Sequence, residues 1–246
     1  MTTIATIKSA ANKLSTPVHK RVYNEEHFTE AAPEYDRATR MLSLGGDAAW
    51  KRRLIEAIPP LPKPECLDLA CGTGDICFLL AEKFNDSNIQ GLDLTQEMLR
   101  FADIRNTFGT RVSFQQGDMG ELPQADASID LVTGSYALRN APDLDQALRE
   151  IHRVLRPSSY AAFLDFSKSD SILMQKIQFH LLKFWGSFCG WWFHRNRAVH
   201  GYISESLRVW PTRTQLHKQL SEHGFDVIRA ESFYGGMVEL TLVRKI

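Results

Sequence analysis

From Glu65 onward the chain alternates short apolar runs with amphipathic stretches, and this alternation restricts its possible folds more than any other feature. Apolar runs occupy residues 66–70, 89–93, 112–116, 129–134 and 161–166, and stretches with helical periodicity follow at 75–84, 95–107 and 143–155. Strands that alternate with helices form a parallel sheet covered by helices on both faces, and such buried strands are continuously apolar. The pattern therefore predicts an α/β fold.

The last part of the chain adds a helical stretch near 212–223 and two apolar runs at 227–230 and 237–243. These two runs are close enough along the chain to pair as an antiparallel hairpin. Together with the five parallel strands, the hairpin predicts a Rossmann-like, seven-stranded mixed sheet that is mostly parallel.

Two segments lie outside this alternation. Apolar residues recur at helical spacing in 28–58, which predicts an N-terminal helical cover, and a cluster of prolines from Pro59 to Pro64 ends it. The segment 170–202 is a helical insert dense in aromatic residues, and it is interpreted either as a helix packed on the core or as an apolar cover over a substrate pocket. Residues 1–27 are expected to be a loosely ordered arm, and residues 28–246 a single domain.

Composition limits the possible partners. Lysine plus arginine and aspartate plus glutamate both total 29, so no net positive charge attracts nucleic acid. The four cysteines form no metal-binding spacing and are expected to be reduced thiols of a cytoplasmic protein, so no metal site is predicted. In the insert, the longest uncharged piece, 184–193, is far shorter than the roughly 20 residues that a membrane-spanning helix needs.

A glycine-rich loop follows the first apolar run and opens the next helix. The sequence there is Leu67-Asp68-Leu69-Ala70-Cys71-Gly72-Thr73-Gly74-Asp75. Glycines at such a turn let the backbone approach a ligand closely, and dinucleotides use the same device. The third glycine of the dinucleotide motif is replaced by Cys77, which disfavours tight packing on a pyrophosphate.

Acidic residues at the ends of the next two apolar runs add specificity. Asp93 is placed to accept hydrogen bonds from both hydroxyls of a ribose, which NAD and S-adenosylmethionine share. Asp118 and Met119 are placed to bind an adenine by a hydrogen bond and by packing. Carboxylates around a glycine loop suit a cationic sulfonium better than an anionic pyrophosphate, so the pattern favours S-adenosylmethionine over a nicotinamide cofactor.

From Phe28 onward the chain resembles the ubiquinone/menaquinone biosynthesis C-methyltransferases. The resemblance rests on Phe28-x-x-x-Ala32-x-x-Tyr35-Asp36, Leu42-Ser43-Leu44-Gly45 with Trp50-Lys51-Arg52, the glycine loop itself, Leu138-Arg139-Asn140 with Pro142-Asp143, Arg153-Val154-Leu155-Arg156-Pro157, Phe166-Ser167-Lys168 and Tyr202-Ile203-Ser204-Glu205-Ser206. The chain departs from the family at Ser158-Ser159, at Asp165 and at Val199-His200-Gly201. Most departures lie on the substrate side and affect the identity of the acceptor more than that of the cofactor.

The resemblance implies an S-adenosylmethionine-dependent methyltransferase that acts on a quinol-like or other small aromatic ring. With the loop chemistry, it predicts a cofactor site made of Asp68, Ala70, Gly72, Thr73, Gly74, Asp93, Leu94, Asp118, Met119 and Ser135. The predicted catalytic residues are Arg139, which can ion-pair with a phenolate, and His200 and Tyr202. His194, Asp165 and Tyr35 are further candidates.

Alternatives remain at this stage. N- or O-methylation of a specialised small molecule, a non-catalytic cofactor-binding subunit and a nicotinamide-dependent oxidoreductase are each compatible with part of the pattern. Tryptophans beside basic residues in the insert suggest peripheral contact with a membrane surface, and a homodimer is a further expectation.

Overall fold

The computed structural model describes residues 16–194, 203 and 206–246, with the side chains of 189–194 excluded. The described part of the chain begins with three helices, α1 (Pro17–Ala31), α2 (Tyr35–Leu42) and α3 (Asp47–Ala57). An alternating α/β region follows: β1 (Glu65–Leu69), α4 (Asp75–Lys83), β2 (Asn88–Asp93), α5 (Gln96–Arg105), β3 (Val112–Gln116), β4 (Ile129–Ser135), α6 (Leu144–Val154) and β5 (Leu155–Phe166). Further described elements are α7 (Ile172–His194), α8 (Arg213–Glu222), β6 (Phe225–Phe233) and β7 (Val238–Lys245).

The seven strands form one sheet in the order β3-β2-β1-β4-β5-β7-β6. β1 pairs in parallel with β2 and with β4, while β7 is antiparallel to β5 and to β6. The predicted mixed sheet with its terminal hairpin is therefore confirmed. Because β1 to β5 are parallel, their carboxyl ends meet at one edge, and the strand order reverses next to β1, where sheets of this type bind ligands.

Two hydrophobic clusters, one on each face, hold the helices on the sheet. Leu54, Leu80 and Leu99 pack α3, α4 and α5 against one face, and Leu148 and Leu220 pack α6 and α8 against the other. All five side chains are almost completely buried. The sheet is thus covered on both sides, and this coverage leaves the edge with the strands' carboxyl ends as the place for a site.

Helix α1 corrects one prediction. The sequence predicts a loosely ordered arm up to residue 27, but α1 begins at Pro17, and the Thr16 hydroxyl caps it by accepting a hydrogen bond from the His19 backbone amide. The apolar periodicity of this helix is weak because polar side chains dock it, as described below. Residues 1–15 lie outside the described residues.

Within the predicted insert, α7 is a long helix that packs on α2. The Trp185 indole N–H donates to the carbonyl oxygen of Leu42 at 3.1 Å. Other faces of α7 expose large apolar side chains to solvent, since Leu173 and Phe184 are 70% and 76% exposed. None of the helices in the described part of the chain combines the length and the hydropathy needed to cross a bilayer.

Candidate active site

Two adjoining cavities open at the carboxyl edge of the sheet. The first is a narrow groove of about 60 Å³ beside the glycine loop and the ends of β2, β3 and β4. The second is an apolar cavity of about 390 Å³ enclosed by α1, α2, α7 and the segments after β4 and β6. Seven of the ten residues predicted for the cofactor line the groove: Ala70, Gly72, Asp93, Leu94, Asp118, Met119 and Ser135.

The glycine loop is held against the groove by Asp93. Gly72 has a φ of +54°, in the left-handed region that favours glycine, and its backbone N–H donates to Asp93 Oδ2 at 2.8 Å. The other carboxylate oxygen, Oδ1, accepts from the Thr95 backbone N–H at 2.8 Å. Burial raises the pKa of Asp93, and these backbone hydrogen bonds act against that rise. Asp93 therefore fixes the loop and also presents its carboxylate to the groove.

The ends of β3 and β4 supply the opposite wall. Asp118 Oδ1 accepts from the Gly120 backbone N–H at 2.8 Å, which fixes the carboxylate, and the buried Met119 lies next to it. The Ser135 hydroxyl oxygen is buried and has no hydrogen-bond partner within the described part of the chain. A buried hydroxyl without a partner is costly unless a ligand satisfies it, so Ser135 fits a polar ligand in this groove.

Asp68, Thr73 and Gly74 do not line the groove, although they were predicted to bind the cofactor. Asp68 lies inside β1, where it accepts hydrogen bonds from the Thr133 hydroxyl at 2.7 Å and the Cys77 thiol at 3.6 Å. Thr73 donates to Asp36 Oδ1 at 2.7 Å. Gly74 has a φ of +89°, and a Cβ there would lie 2.8 Å from the Phe78 ring. These three positions serve the loop and its packing in the structure.

Helix α1 covers the groove through polar contacts with the strand ends. The Lys20 ammonium donates to the carbonyl oxygens of Arg139 at 2.9 Å and Ala141 at 2.6 Å, and the Asn24 amide donates to the carbonyl oxygen of Asn140 at 2.7 Å. Arg21 Nε lies 3.5 Å from Asp118 Oδ2. Burial lowers the pKa of Lys20 to about 8, and the positive charge of Arg139 acts in the same direction.

The larger cavity has apolar walls with few polar groups. Its lining includes Phe28 from α1, Leu42 from α2, and Leu181 and Trp185 from α7, while Tyr234 closes it from the β6–β7 connection. A cavity of this kind fits a flat apolar molecule whose few polar groups meet specific partners.

Arg139 supplies a positive charge to this cavity. Its side chain is 4% exposed, and Nε lies 3.4 Å from Asp165 Oδ1, while the guanidinium also donates to the Ser206 hydroxyl. Asp165 in turn accepts from the Arg139 backbone N–H at 3.0 Å. Burial raises the pKa of Asp165, and the guanidinium acts against that rise. Arg139 thus both lines the cavity and forms a structural ion pair.

Tyr136 stands where the two cavities meet. Its hydroxyl donates to Asp47 Oδ1 at 2.8 Å, and Asp47 Oδ2 lies 2.7 Å from the Lys51 ammonium. Lys51 also reaches Asp75 at 2.9 Å. Burial opposes the charge on Lys51, but the two carboxylates outweigh it and raise the pKa of that ammonium. The junction is therefore braced by a buried network.

Sequence reasoning missed several residues of the site. Asn24, His27 and Tyr136 line the cavities without having been predicted. The resemblance at Phe28 and at Leu138-Arg139-Asn140 marks their neighbourhoods, but no local pattern distinguishes these side chains. The predicted catalytic residues His200 and Tyr202, and the side chain of His194, lie outside the described residues. The groups predicted as reduced thiols, Cys66, Cys71 and Cys77, are buried and free.

The sheet, the groove with its acidic anchor and the adjoining apolar cavity define a Rossmann-like methyltransferase. Residues 17–245 match the ubiE/COQ5 methyltransferase family, and the chain belongs to that family. It is an enzyme that uses S-adenosylmethionine. The orphaned Ser135 hydroxyl and the Asp93 carboxylate fit this molecule, whose ribose and amino-acid portion are rich in polar groups.

Curated relatives cover nearly the whole chain. A demethylmenaquinone methyltransferase of Lactobacillus johnsonii is 31% identical over 89% of this chain and 92% of its own length. A ubiquinone/menaquinone biosynthesis C-methyltransferase of Xanthomonas oryzae pv. oryzae is 36% identical over 87% of each chain.

Among solved structures, a SAM-dependent methyltransferase from Aquifex aeolicus has a TM-score of 0.59 at 16% identity, covering 80% of this chain and 89% of its own. The [4+2]-cyclase SpnF has a TM-score of 0.61 at 17% identity, covering 80% of each chain. These likenesses concern the fold alone, and the family match carries the function.

Proposed function

We propose that the protein transfers a methyl group from S-adenosylmethionine to a ring carbon of a reduced quinone. The names of its relatives support this substrate class, since they include a demethylmenaquinone methyltransferase and a 2-phytyl-1,4-naphtoquinone methyltransferase of Thermosynechococcus vestitus. The observation that carries the proposal is an apolar cavity that holds a buried guanidinium and adjoins the cofactor groove.

The groove residues would hold the methyl donor. Asp93 would accept hydrogen bonds from the ribose hydroxyls, Asp118 and Met119 would bind the adenine, and the Ser135 hydroxyl would gain its missing partner. S-adenosylmethionine supplies an electrophilic methyl group on a positively charged sulfur. The apolar walls and α1 would exclude water, so that the two reactants are held in line.

Arg139 would activate the acceptor. A hydroquinone carbon becomes nucleophilic when a ring hydroxyl loses its proton, and a guanidinium beside that oxygen stabilises the resulting negative charge. Among the described residues that line the cavity, His27 carries an imidazole, a side chain that commonly serves as a general base. We therefore assign His27 as the base that takes the hydroxyl proton. The ring carbon would then bond to the methyl group as the methyl–sulfur bond breaks and S-adenosylhomocysteine leaves. The same carbon would release its own proton to solvent, which restores the aromatic ring.

The test is direct. The purified protein is incubated with labelled S-adenosylmethionine and a panel of reduced benzoquinones and naphthoquinones, and the products are fragmented in a mass spectrometer. We expect label on a ring carbon. Label only on oxygen, or on an amine of a control panel, would refute C-methylation and support the alternative N- or O-methyltransferase; no label with intact cofactor binding would support a non-catalytic subunit.

We also propose that α7 rests on an anionic lipid surface. Ile172, Leu173, Leu181 and Phe184 are between 54% and 76% exposed, although exposed apolar stripes are uncommon on soluble surfaces. Leu181 and Phe184 also line the cavity, so the exposed stripe is continuous with the place where an apolar acceptor would enter. Lys176 and Lys183 are exposed on the same helix and suit anionic headgroups.

Flotation with vesicles that contain anionic lipid tests this proposal. Leu173→Ser with Phe184→Ser should reduce vesicle binding and the preference for long-tailed quinols. Ile104→Ser is the matched control, because Ile104 is 69% exposed on α5, which contributes no residue to the cavity. Equal binding of both variants would contradict the proposal. Trp191 and Trp192, which suggested this surface, have side chains outside the described residues.

Two further expectations remain predictions. A cytoplasmic location is inferred from the reduced cysteines alone, and a homodimer is a further expectation. Sedimentation velocity over a range of protein concentrations would test the homodimer.

A further inference from the structure

Three aromatic rings occupy the boundary between the groove and the cavity. Phe28, Tyr35 and Tyr136, together with Asn140, line both. The rings come from α1, from α2 and from the turn after β4, so three separate elements converge on this boundary. A methyl group that passes from a donor in the groove to an acceptor in the cavity must cross between them.

The Tyr136 ring is held firmly in place. The backbone φ of Tyr136 is +58°, a conformation that residues other than glycine rarely adopt, and its backbone N–H donates to the Leu164 carbonyl oxygen at 2.6 Å. At the other end of the side chain, the hydroxyl is bound by Asp47, which is itself paired with Lys51. A residue fixed at both ends is suited to positioning.

The other two rings are fixed by their neighbours. Phe28 and Tyr35 meet edge to face with their centroids 6.2 Å apart, and Tyr35 lies beside Gly72 of the glycine loop. Burial raises the pKa of Tyr35 to about 12, and it also raises the pKa of Tyr136 well above its ordinary value. Both phenols therefore stay neutral in the physiological range, so their rings line the boundary without a formal charge.

We propose that Phe28, Tyr35 and Tyr136 form an aromatic collar that binds the positively charged sulfonium of S-adenosylmethionine, with Asp47 as the positioning residue for Tyr136. Cations bind over aromatic faces because the ring quadrupole is negative there. The acidic residues of the groove lie at the ends of β2 and β3, whereas the collar lies at the boundary with the cavity, where the sulfur would lose its positive charge during methyl transfer. The inference depends on the methyl donor and is independent of the acceptor's identity.

Binding measurements test the collar without turnover. Calorimetry gives the affinities for S-adenosylmethionine, for the neutral product S-adenosylhomocysteine, and for sinefungin, an analogue with an ammonium group in place of the sulfonium. Tyr136→Leu should reduce the preference for both charged ligands over the neutral one by about 2- to 30-fold. Phe166→Leu is the matched control, because that ring lies 5.6 Å from Tyr136 and lines the cavity but not the groove.

Asp47 is tested through rescue. Asp47→Val removes the acceptor of the Tyr136 hydroxyl, while Lys51 keeps its contact with Asp75. This variant should reduce the preference for the charged ligands over S-adenosylhomocysteine, but by less than Tyr136→Leu does. Asp47→Asn should restore it, since an amide oxygen still accepts that hydrogen bond.

The outcomes separate the possibilities. Should Tyr136→Leu fail to fold, Phe28→Leu replaces it, because Phe28 is only half-buried on α1. An unchanged preference in the ring variant overturns the collar. A loss of preference for S-adenosylmethionine but not for sinefungin overturns it as well, because the rings would then contact the methyl group and not the charge.

Discussion

Asp68 offers a sharp test of how the sheet interior is built. Its carboxyl is 1% exposed, between strands β2 and β4, and its partners are the Thr133 hydroxyl and the Cys77 thiol. Burial raises the pKa of Asp68 to about 7, and the two hydrogen bonds only partly oppose this rise. Asp68→Asn replaces the carboxyl with a neutral amide of the same shape, whose oxygen can still accept from Thr133 while its NH2 group faces the weakly accepting Cys77 sulfur.

The size of the effect follows from the proton balance. In the unfolded chain the carboxyl loses its proton near pH 4, whereas in the folded protein it keeps the proton until about pH 7. Between these values the folded state binds more protons, so the free energy of unfolding falls as the pH rises, by up to about 1.4 kcal/mol per pH unit. The loss across the whole window is on the order of 4 kcal/mol. The Asn variant should lack this loss.

Urea denaturation at pH 5, 6, 7 and 8 would measure the difference. We expect the free energy of unfolding of the wild type to decline relative to Asp68→Asn as the pH rises, while Asp86→Asn, an exposed control, follows the wild type. Parallel curves for the wild type and Asp68→Asn would refute the reasoning. Because Asp68 does not line the groove, the variant should also keep its affinity for S-adenosylmethionine.

Three further predictions concern the groove, the cavity and α1. Asp93→Ala should weaken S-adenosylmethionine binding by about 30- to 150-fold in calorimetry, because it removes two charge-assisted hydrogen bonds to the ribose and the acceptor that holds the Gly72 backbone N–H. An unchanged affinity would contradict this prediction. Arg139→Lys should keep the charge beside Asp165 and the affinity for S-adenosylmethionine, but it should lower kcat by about 10-fold or more, because lysine lacks the planar, forked donors of the guanidinium. A change in the affinity for S-adenosylmethionine alone would place Arg139 in the cofactor groove. The pKa of Lys20 is about 8 in the folded protein and 10.5 ordinarily, so between these pH values the unfolded chain binds more protons. The free energy of unfolding of the wild type should therefore rise from pH 8 to 10 more than that of Lys20→Met. Denaturant titrations that give the same pH dependence for both proteins would exclude this titration.

The sequence was sufficient to predict the sheet because burial on both faces leaves a strong pattern. The first four apolar runs became strands at nearly the predicted bounds, β5 begins six residues before the predicted 161–166, and the two final runs became the hairpin. Helix α1 escaped prediction because its docking uses Lys20 and Asn24, which bind carbonyl oxygens across the chain and produce no apolar stripe. Apolar periodicity reports buried carbon surface, so helices that dock through polar contacts are missed.

The candidate site was predictable where its residues lie next to strand ends, and unpredictable where they meet across the fold. Asp93 and Ser135 end β2 and β4, so the topology alone brings them to one edge. The contact of Tyr136 with Asp47 joins residues 89 positions apart, and nothing in either local sequence indicates it. For Asp68, nearness to the glycine loop predicts a ligand contact, whereas its carboxyl is buried in the structure and binds the Thr133 hydroxyl and the Cys77 thiol.

The position of β7 has a consequence for the synthesis of the protein. β7 lies between β5 and β6 but is translated after both, and β6 has no contact with β5 in the sheet except through it. Until the ribosome releases β7, the nascent chain exposes an unpaired edge of β5, and such an edge can form hydrogen bonds with strands of other chains. The β5 residues on this edge include Asp165, the partner of Arg139, which is opposite Glu239 of β7. The edge of β5 is therefore covered, and Asp165 gains its cross-strand neighbour, only once β7 has left the ribosome.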